Sequence, residues 1–301
     1  MELYHVIMGT TDINAMNLFP DKTINYLLAA SMQTFDQRWK KNLPLIERKK
    51  KLLFSDSGML GWIKKLGDRA WSYASNPQGV LEIQLQSNPD IISHVDIPME
   101  YSITERLGKT TKESMDQTIL NAIWLVKKKL ENRGYLNGKR IAIAVQGRTL
   151  DDYIQCIHRY RDLGFMDLNP KDFLFAIGSV CMKKPPDLYE ISKIVRVRIP
   201  EQYDLHCFGI ANIKWLLQLE QIGITSCDSS TANFASAMYR IVGEDGRQST
   251  IKLSGKNTLM QNSLFAFNIA SLEFQLKNKM IPVMDELFFD ESEQYHFCQE
   301  G

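Results

Sequence analysis

The chain alternates short apolar runs, rich in β-branched residues, with longer segments of helical periodicity, and few architectures accommodate that order. Such alternation predicts a parallel sheet, and strands that are apolar almost throughout predict burial on both faces. The runs are 5–9, 24–32, 52–55, 91–95, 141–145, 173–177, 205–210 and 222–227, of which the second is equally compatible with the end of a helix. These units favour an α/β fold, a (β/α)8 barrel of the TIM type, over an open sheet.

Helical periodicity fills the intervals between the runs, and Thr111 with Ser114 is predicted to open the longest helix. The predicted helices are 59–75, 110–133, 149–163, 186–195, 212–221 and 231–240. After Arg240 the pattern changes to a short strand at 250–253, a helix at 258–277 and an acidic, aromatic tail that packs loosely or as a short helix. We therefore predict a barrel at 1–240 and a C-terminal extension at 241–301 that packs on it.

Composition restricts the class of protein and its compartment. The chain has 301 residues, of which 44% are hydrophobic and 24% charged, as in ordinary globular proteins. No run reaches the ~18 consecutive apolar residues of a membrane span, and the first residues lack a signal-peptide pattern, so a cytoplasmic protein without membrane contact is expected. The cysteines lie far apart, which predicts reduced thiols and no structural metal site, although a site assembled from distant residues stays open. They are Cys156, Cys181, Cys207, Cys227 and Cys298.

Polar residues follow several of the predicted strands, where barrel enzymes hold their reacting groups. Asp56 lies in SDSG after the third run, Asp96 in HVDIP after the fourth, Gln146 in AVQG after the fifth and Asp228 in TSCDSS after the eighth. Carboxylates and an amide around one barrel end suit acid–base and nucleophilic chemistry. Each alone has a structural alternative, since Asp before Ser-Gly or Ser-Ser commonly forms a turn or a helix cap.

The motifs VIMGT, SDSG, HVDIP, AVQG, FAIGS, HCFGIAN and GITSCD occur in the order and approximate spacing of the barrel of tRNA-guanine transglycosylases. The chain resembles that family over roughly residues 5–235, and the family exchanges guanine for a 7-deazaguanine. By this resemblance Asp228 is the nucleophilic aspartate and Asp56 the acid–base aspartate. The resemblance assigns binding of the purine to Ser57, Asp96, Gln146, Gly178, Ser179, Phe208 and Gly209.

The chain departs from the family pattern in ways that bear on the substrate. Met59 and Leu60 stand where the family has a second glycine and a stacking aromatic, so Trp62 is the candidate substitute, and Ser179 replaces the second glycine of a Gly-Gly pair. The family's zinc subdomain, with its tight cysteine cluster, is missing. The chain is therefore most similar to the DNA-directed branch, the deazapurine-in-DNA transglycosylases of phages and bacterial modification islands. We expect DNA, or alternatively tRNA, as the polymer substrate and a free 7-deazaguanine of the preQ0 type as the incoming base. Helper proteins are expected as further partners, and no cofactor or metal is expected.

Basic residues are clustered although the net charge is only +1. Most clusters are expected to be solvated helix faces. Lys183 and Lys184 follow the sixth strand on the predicted catalytic side and are the first candidates for phosphate contacts. Lys64, Lys65 and Arg69, after the SDSG loop, are the second.

Two histidines and a cysteine near the same strand ends have ordinary structural explanations. His94 and His206 lie within strands and are predicted to be hydrogen-bonded core or pocket-edge residues. Cys227, beside Asp228, is predicted to be an inert buried thiol.

Three further hypotheses for function stay open. A tRNA-directed enzyme shares the chemistry and differs in substrate. A non-catalytic nucleic-acid-binding subunit retains the barrel, whereas a glycoside hydrolase uses paired carboxylates with water as the acceptor.

Overall fold

A closed barrel of eight parallel strands forms the centre of the protein. The computed structural model describes residues 1–35, 38–131, 134–210, 212–243, 248–251 and 258–280. The strands follow chain order around the barrel, and the eighth pairs with the first. They are β1 (Glu2–Ile7), β2 (Ile24–Ala29), β3 (Lys50–Asp56), β4 (Ile91–Ser93), β5 (Arg140–Val145), β6 (Phe173–Ile177), β7 (Leu205–Cys207) and β8 (Ser226–Ser229). The predicted (β/α)8 fold is confirmed.

Helices surround the strands and cover their outer face. All residues of β6 are buried, as expected for a strand between a packed barrel interior and a helix layer. The helices are α1 (Thr10–Ala15), α2 (Ala30–Phe35), α3 (Trp39–Lys49), α4 (Met59–Leu66), α5 (Trp71–Ala74), α6 (Pro77–Leu85), α7 (Tyr101–Leu107), α8 (Thr111–Leu130), α9 (Leu150–Asp162), α10 (Pro185–Arg196), α11 (Ile213–Gln221), α12 (Thr231–Ala237) and α13 (Thr258–Lys277).

Some strand and helix boundaries differ from the predicted ones, because residues that favour turns or helix caps end an element inside an apolar run. The eighth strand was predicted at 222–227 but starts at Ser226, because Gly223 has φ +89° and turns the chain after α11. The run at 24–32 divides into β2 and the start of α2. The residue that caps α8 is Thr110 rather than Thr111, and its side chain forms a capping box with Glu113.

The chain after β8 packs on the barrel beside β1. A hairpin of β9 (Arg240–Val242) and β10 (Gln248–Thr250) follows α12. Asn268 of α13 accepts a hydrogen bond from Val242 N at 2.7 Å and donates one to Arg240 O at 3.0 Å. The predicted strand at 250–253 overlaps β10, whereas the predicted acidic, aromatic tail and Cys298 lie outside the described residues. Within the described part of the chain, no helix is long and apolar enough to cross a membrane.

Candidate active site

The carboxyl ends of neighbouring strands bring most of the predicted site residues to one end of the barrel, called the mouth below. Asp56 is the last residue of β3, and Asp228 lies in β8. Asp96, Gln146, Gly178 and Gly209 follow β4, β5, β6 and β7 within a few residues. The mouth therefore collects groups from six consecutive strands, as parallel strands of a barrel require.

A buried row of hydrogen bonds connects the residues predicted to bind the purine. Ser57 Oγ donates to Asp96 Oδ1 at 2.7 Å, and Gln146 Nε2 donates to Asp96 Oδ2. Ser179 Oγ donates to Gln146 Oε1 and accepts from Met99 N at 2.9 Å. These groups fix one another's orientation, so the row presents a defined edge of donors and acceptors.

Asp56 is a carboxyl group whose surroundings favour its protonated form. Burial, followed by the nearby charge of Asp96, raises the pKa of Asp56 to about 7. Hydrogen bonds oppose this shift, since Gly58 N donates to Oδ2 at 3.0 Å. Ser93 Oγ lies 3.4 Å from Oδ1 and accepts a bond from Ser57 N at 2.8 Å. A carboxyl group that titrates near neutral pH is suited to give and take protons.

Asp96 is less accessible to solvent than Asp56, which is only partly buried. Burial raises the pKa of Asp96, whereas the hydrogen bonds from Ser57 and Gln146 lower it. Its side chain is 7% exposed, and both carboxyl oxygens accept hydrogen bonds. Its geometry suits binding to N–H groups of a ligand rather than proton transfer to bulk water.

Asp228 has two unequal carboxyl oxygens. Oδ1 lies 2.9 Å from Gly209 N, which donates to it, and 3.2 Å from His206 Nε2. Among the described residues, Oδ2 forms no hydrogen bond. Both contacts fall on Oδ1, so Oδ2 is the oxygen left for a ligand in this part of the structure.

Two glycines of the mouth are required for steric reasons. A Cβ on Gly209, which has φ +75°, would lie 2.9 Å from Cys181 Sγ. A Cβ on Gly178 would lie 2.3 Å from Gln146 Nε2. Both backbones therefore approach neighbouring side chains more closely than a Cβ permits.

Ser179, which stands where the family pattern has glycine, takes a left-handed backbone conformation with φ +54°. This conformation is unfavourable for a residue with a Cβ. Its hydroxyl group bonds to both Gln146 and Met99, and these bonds offset the strain while adding a group to the buried row.

Aromatic side chains pack around His206, the residue that contacts Asp228. Phe208 is 9% exposed, and its ring centroid lies 5.7 Å from that of Phe54 and 4.7 Å from that of His206. The resemblance assigns Phe208 to one face of the purine, and an apolar ring at this place is compatible with that role.

Trp62 does not offer a stacking surface for a base at the mouth. Its side chain is fully buried in a second apolar cluster and stacks on Tyr73 at 4.3 Å between ring centroids. Met59 is buried in the same cluster. The suggestion that Trp62 substitutes for the family's aromatic is therefore wrong, because the helices after β3 bury this indole in their own core.

The basic candidates lie in two places. Lys183 follows β6, and its Nζ donates to Arg148 O at 2.8 Å; Lys184 precedes α10 and is exposed. Lys64 and Lys65 form the last turn of α4, where Lys65 Nζ lies 3.8 Å from the centroid of Phe35. Arg69 is exposed in the turn after α4. Nucleic-acid contacts of all five stay predictions.

The two histidines that were predicted to lie within strands have different surroundings, and only His206 is inside a strand, because His94 follows β4. His94 Nε2 accepts from Ala144 N at 2.9 Å, and burial lowers the pKa of His94 to about 4, so it is a satisfied core residue. His206 contacts Asp228 instead and belongs to the site. Cys227 is buried, and burial raises the pKa of its thiol. The described residues contain no group of three or more His, Cys, Asp or Glu side chains that could hold a metal ion.

The model of the family described as "Queuine tRNA-ribosyltransferase" (TGT) matches residues 71–275. The matched part includes Asp96, Gln146 and Asp228 and begins after Asp56. No curated protein matches the chain.

Proposed function

The chain belongs to the queuine tRNA-ribosyltransferase family, and from that premise we propose that it is a guanine transglycosylase that acts on DNA. In this proposal it replaces guanine in DNA by a free 7-deazaguanine base. The observation that carries the proposal is the arrangement at the mouth, where Oδ2 of Asp228 has no hydrogen bond to any described residue and Asp56 has a pKa of about 7.

The reaction begins with attack by Asp228. A lone pair of Oδ2 forms a bond to C1′ of the sugar while the C1′–N9 bond breaks, and its electron pair leaves with the purine. The product is a glycosyl ester of Asp228. A second displacement by the incoming base restores the original configuration, as in retaining glycosidases.

Asp56 supplies the protons. In its protonated form it gives a proton to the departing guanine, and the resulting carboxylate takes the N9 proton of the incoming base. A group that titrates near pH 7 exists in both forms under cellular conditions, so one side chain serves both half-reactions.

The buried row beside these carboxylates binds the base edge. Guanine presents N–H donors and the O6 acceptor along one edge. The Asp96 carboxylate accepts from the N–H groups, and Gln146 Nε2 donates to O6 in exchange for its bond to Asp96. Gly178 leaves space for Gln146, and Phe208 contacts one face of the ring.

DNA is the proposed polymer, and tRNA, which the family description names, is the alternative. The support for DNA is that the five cysteines are isolated in the sequence, unlike the clustered zinc ligands of tRNA-directed members. In either polymer the target base must leave its stack to reach the mouth. Lys183 and Lys184, beside that opening, are the proposed phosphate contacts.

Mass spectrometry of nucleosides tests the proposal. DNA and tRNA are incubated separately with the protein and candidate 7-deazaguanines, and the wild type is compared with Asp228→Ala. The matched control is Asp162→Ala, which changes an exposed aspartate at the end of α9. We expect deazapurine in DNA with the wild type and Asp162→Ala, and none with Asp228→Ala.

The other outcomes separate the alternatives. Incorporation into tRNA alone retains the chemistry and overturns the DNA assignment. Incorporation that persists with Asp228→Ala overturns the assigned nucleophile. Release of free guanine without incorporation indicates water as the acceptor, and no reaction with either polymer supports a binding subunit.

A further inference from the structure

His206 connects the proposed nucleophile to the barrel interior. It lies in β7 and is fully buried, with Nε2 3.2 Å from Asp228 Oδ1 and Nδ1 2.9 Å from Ser226 Oγ. A carboxylate oxygen can only accept, so Nε2 carries a proton. We propose that His206, oriented by Ser226, is a positioning residue that holds Asp228 through Oδ1 and assists the departure of Oδ2 from the sugar in the second half-reaction. This inference rests on the proposed function.

The imidazole ring is held in one orientation by its neighbours. Its centroid lies 4.7 Å from that of Phe208, 4.9 Å from that of Phe54 and 5.8 Å from that of Tyr4. Residue pairing between β7 and β8 places His206 directly opposite Ser226. Packing and hydrogen bonding thus fix the N–H direction, and His206 restricts the rotation of the Asp228 carboxyl group.

The donors on Oδ1 affect the two half-reactions in opposite directions. When Oδ2 bonds to C1′, Oδ1 becomes the carbonyl oxygen of the ester and still faces Gly209 N and His206 Nε2. In the second step N9 of the incoming base bonds to C1′, the C1′–Oδ2 bond breaks, and its electron pair returns to the carboxylate. Donors that stabilise this carboxylate make it a weaker nucleophile and a better leaving group.

A matched pair of variants tests the inference. His206→Gln retains an amide N–H near the position of Nε2, whereas His206→Met has similar length and no donor. Rapid-quench experiments measure formation of the covalent protein–DNA adduct without added base and its decay when a 7-deazaguanine is added. For His206→Met we expect decay slowed about 10- to 100-fold, the range for a lost hydrogen bond to a charged group, with accumulation of adduct. For His206→Gln we expect decay within about threefold of the wild-type rate.

Ser226→Ala is a second, milder variant that keeps the imidazole ring. It removes the partner of Nδ1, so adduct decay should slow by about two- to tenfold, in the same direction as with His206→Met. Thermal melting establishes that each variant is folded before its kinetics are measured.

The outcomes distinguish this inference from the proposed function. Equal slowing of formation and decay in His206→Met indicates a merely structural role and overturns the inference, as does unchanged decay. A wild-type protein that exchanges base without a detectable adduct overturns the covalent route itself.

Discussion

Asp56 leads to a prediction about pH that separates the two half-reactions. In the proposed double displacement, kcat/KM for DNA reports the first step and kcat/KM for the incoming base reports the second. The first step needs protonated Asp56. Since its pKa is about 7, kcat/KM for DNA should be constant below this pH and fall about tenfold per unit above it.

The second step needs Asp56 as a carboxylate, and its pKa differs in the glycosyl-enzyme. The charge of Asp228 is one of the causes that raise the pKa of Asp56, and ester formation removes that charge. The pKa of Asp56 in the intermediate therefore lies below about 7. Consequently kcat/KM for the base should fall on the acidic side, at a lower pH than the limb seen with DNA.

Initial rates measured from about pH 5.5 to 9, with each substrate varied in turn, test this prediction. Asp56→Asn is the control and should abolish the basic limb together with most of the activity. Two profiles that rise and fall together would refute the assignment of one group to both proton transfers. If kcat/KM for DNA does not change between about pH 6 and 9, the titration of Asp56 does not control the first step.

Three further predictions concern sterics, stability and phosphate contacts. Gly178→Ala should displace Gln146 and lower kcat/KM about 5- to 150-fold, the effect of ~1–3 kcal/mol. The control is Gly134→Ala, where a Cβ meets no atom within 4 Å, and it should leave kcat/KM unchanged. Asp56→Asn should raise the melting temperature at about pH 8 and not at about pH 4. Folding raises the pKa of Asp56 from 3.8 to about 7, so the charged carboxylate lowers the stability of the folded protein only as the pH rises through that window. Equal shifts of the melting temperature at both pH values would contradict this. Lys183→Ala should weaken DNA binding and reduce the salt dependence of binding. The control is Lys171→Ala, in the turn that enters β6 at the opposite end of the barrel, and it should change neither quantity. Unchanged DNA binding by Lys183→Ala in a salt titration would exclude the phosphate contact.

The strand ends of the barrel were predictable from sequence because apolar runs stop where polar or glycine residues begin. Asp56, Asp96, Gln146 and Asp228 all lie at or just after strands, and the parallel topology alone brings such ends together. The row of hydrogen bonds from Ser57 through Asp96 and Gln146 to Ser179 follows from the same topology, because buried polar side chains must find hydrogen-bond partners among their neighbours.

Contacts that depend on strand pairing and on packing of short helices were not predictable. His206 reaches Asp228 only because β7 and β8 pair with His206 opposite Ser226, and a single strand sequence does not specify that register. Trp62 is buried because the helices between β3 and β4 pack with α2, α7 and the segment after β4 in a second apolar cluster. The sequence of the helix that carries Trp62 has the pattern of an ordinary amphipathic surface helix, so the sequence alone does not show that this indole is buried.

The acid–base half of the site stands on geometry rather than on family similarity. The family match begins at residue 71, after Asp56 and Ser57. Both residues are nevertheless bonded to the matched part, since Ser57 Oγ donates to Asp96 at 2.7 Å and Ser93 Oγ donates to Asp56 Oδ1 at 3.4 Å. Environment then divides the roles of the two proposed catalytic carboxyl groups. Burial and neighbouring charge favour protonated Asp56, whereas among the described residues Asp228 receives its contacts from Gly209 N and His206 Nε2 on Oδ1 alone. A double displacement needs a proton donor and a nucleophilic oxygen, and the two carboxyl groups divide these roles in the proposal.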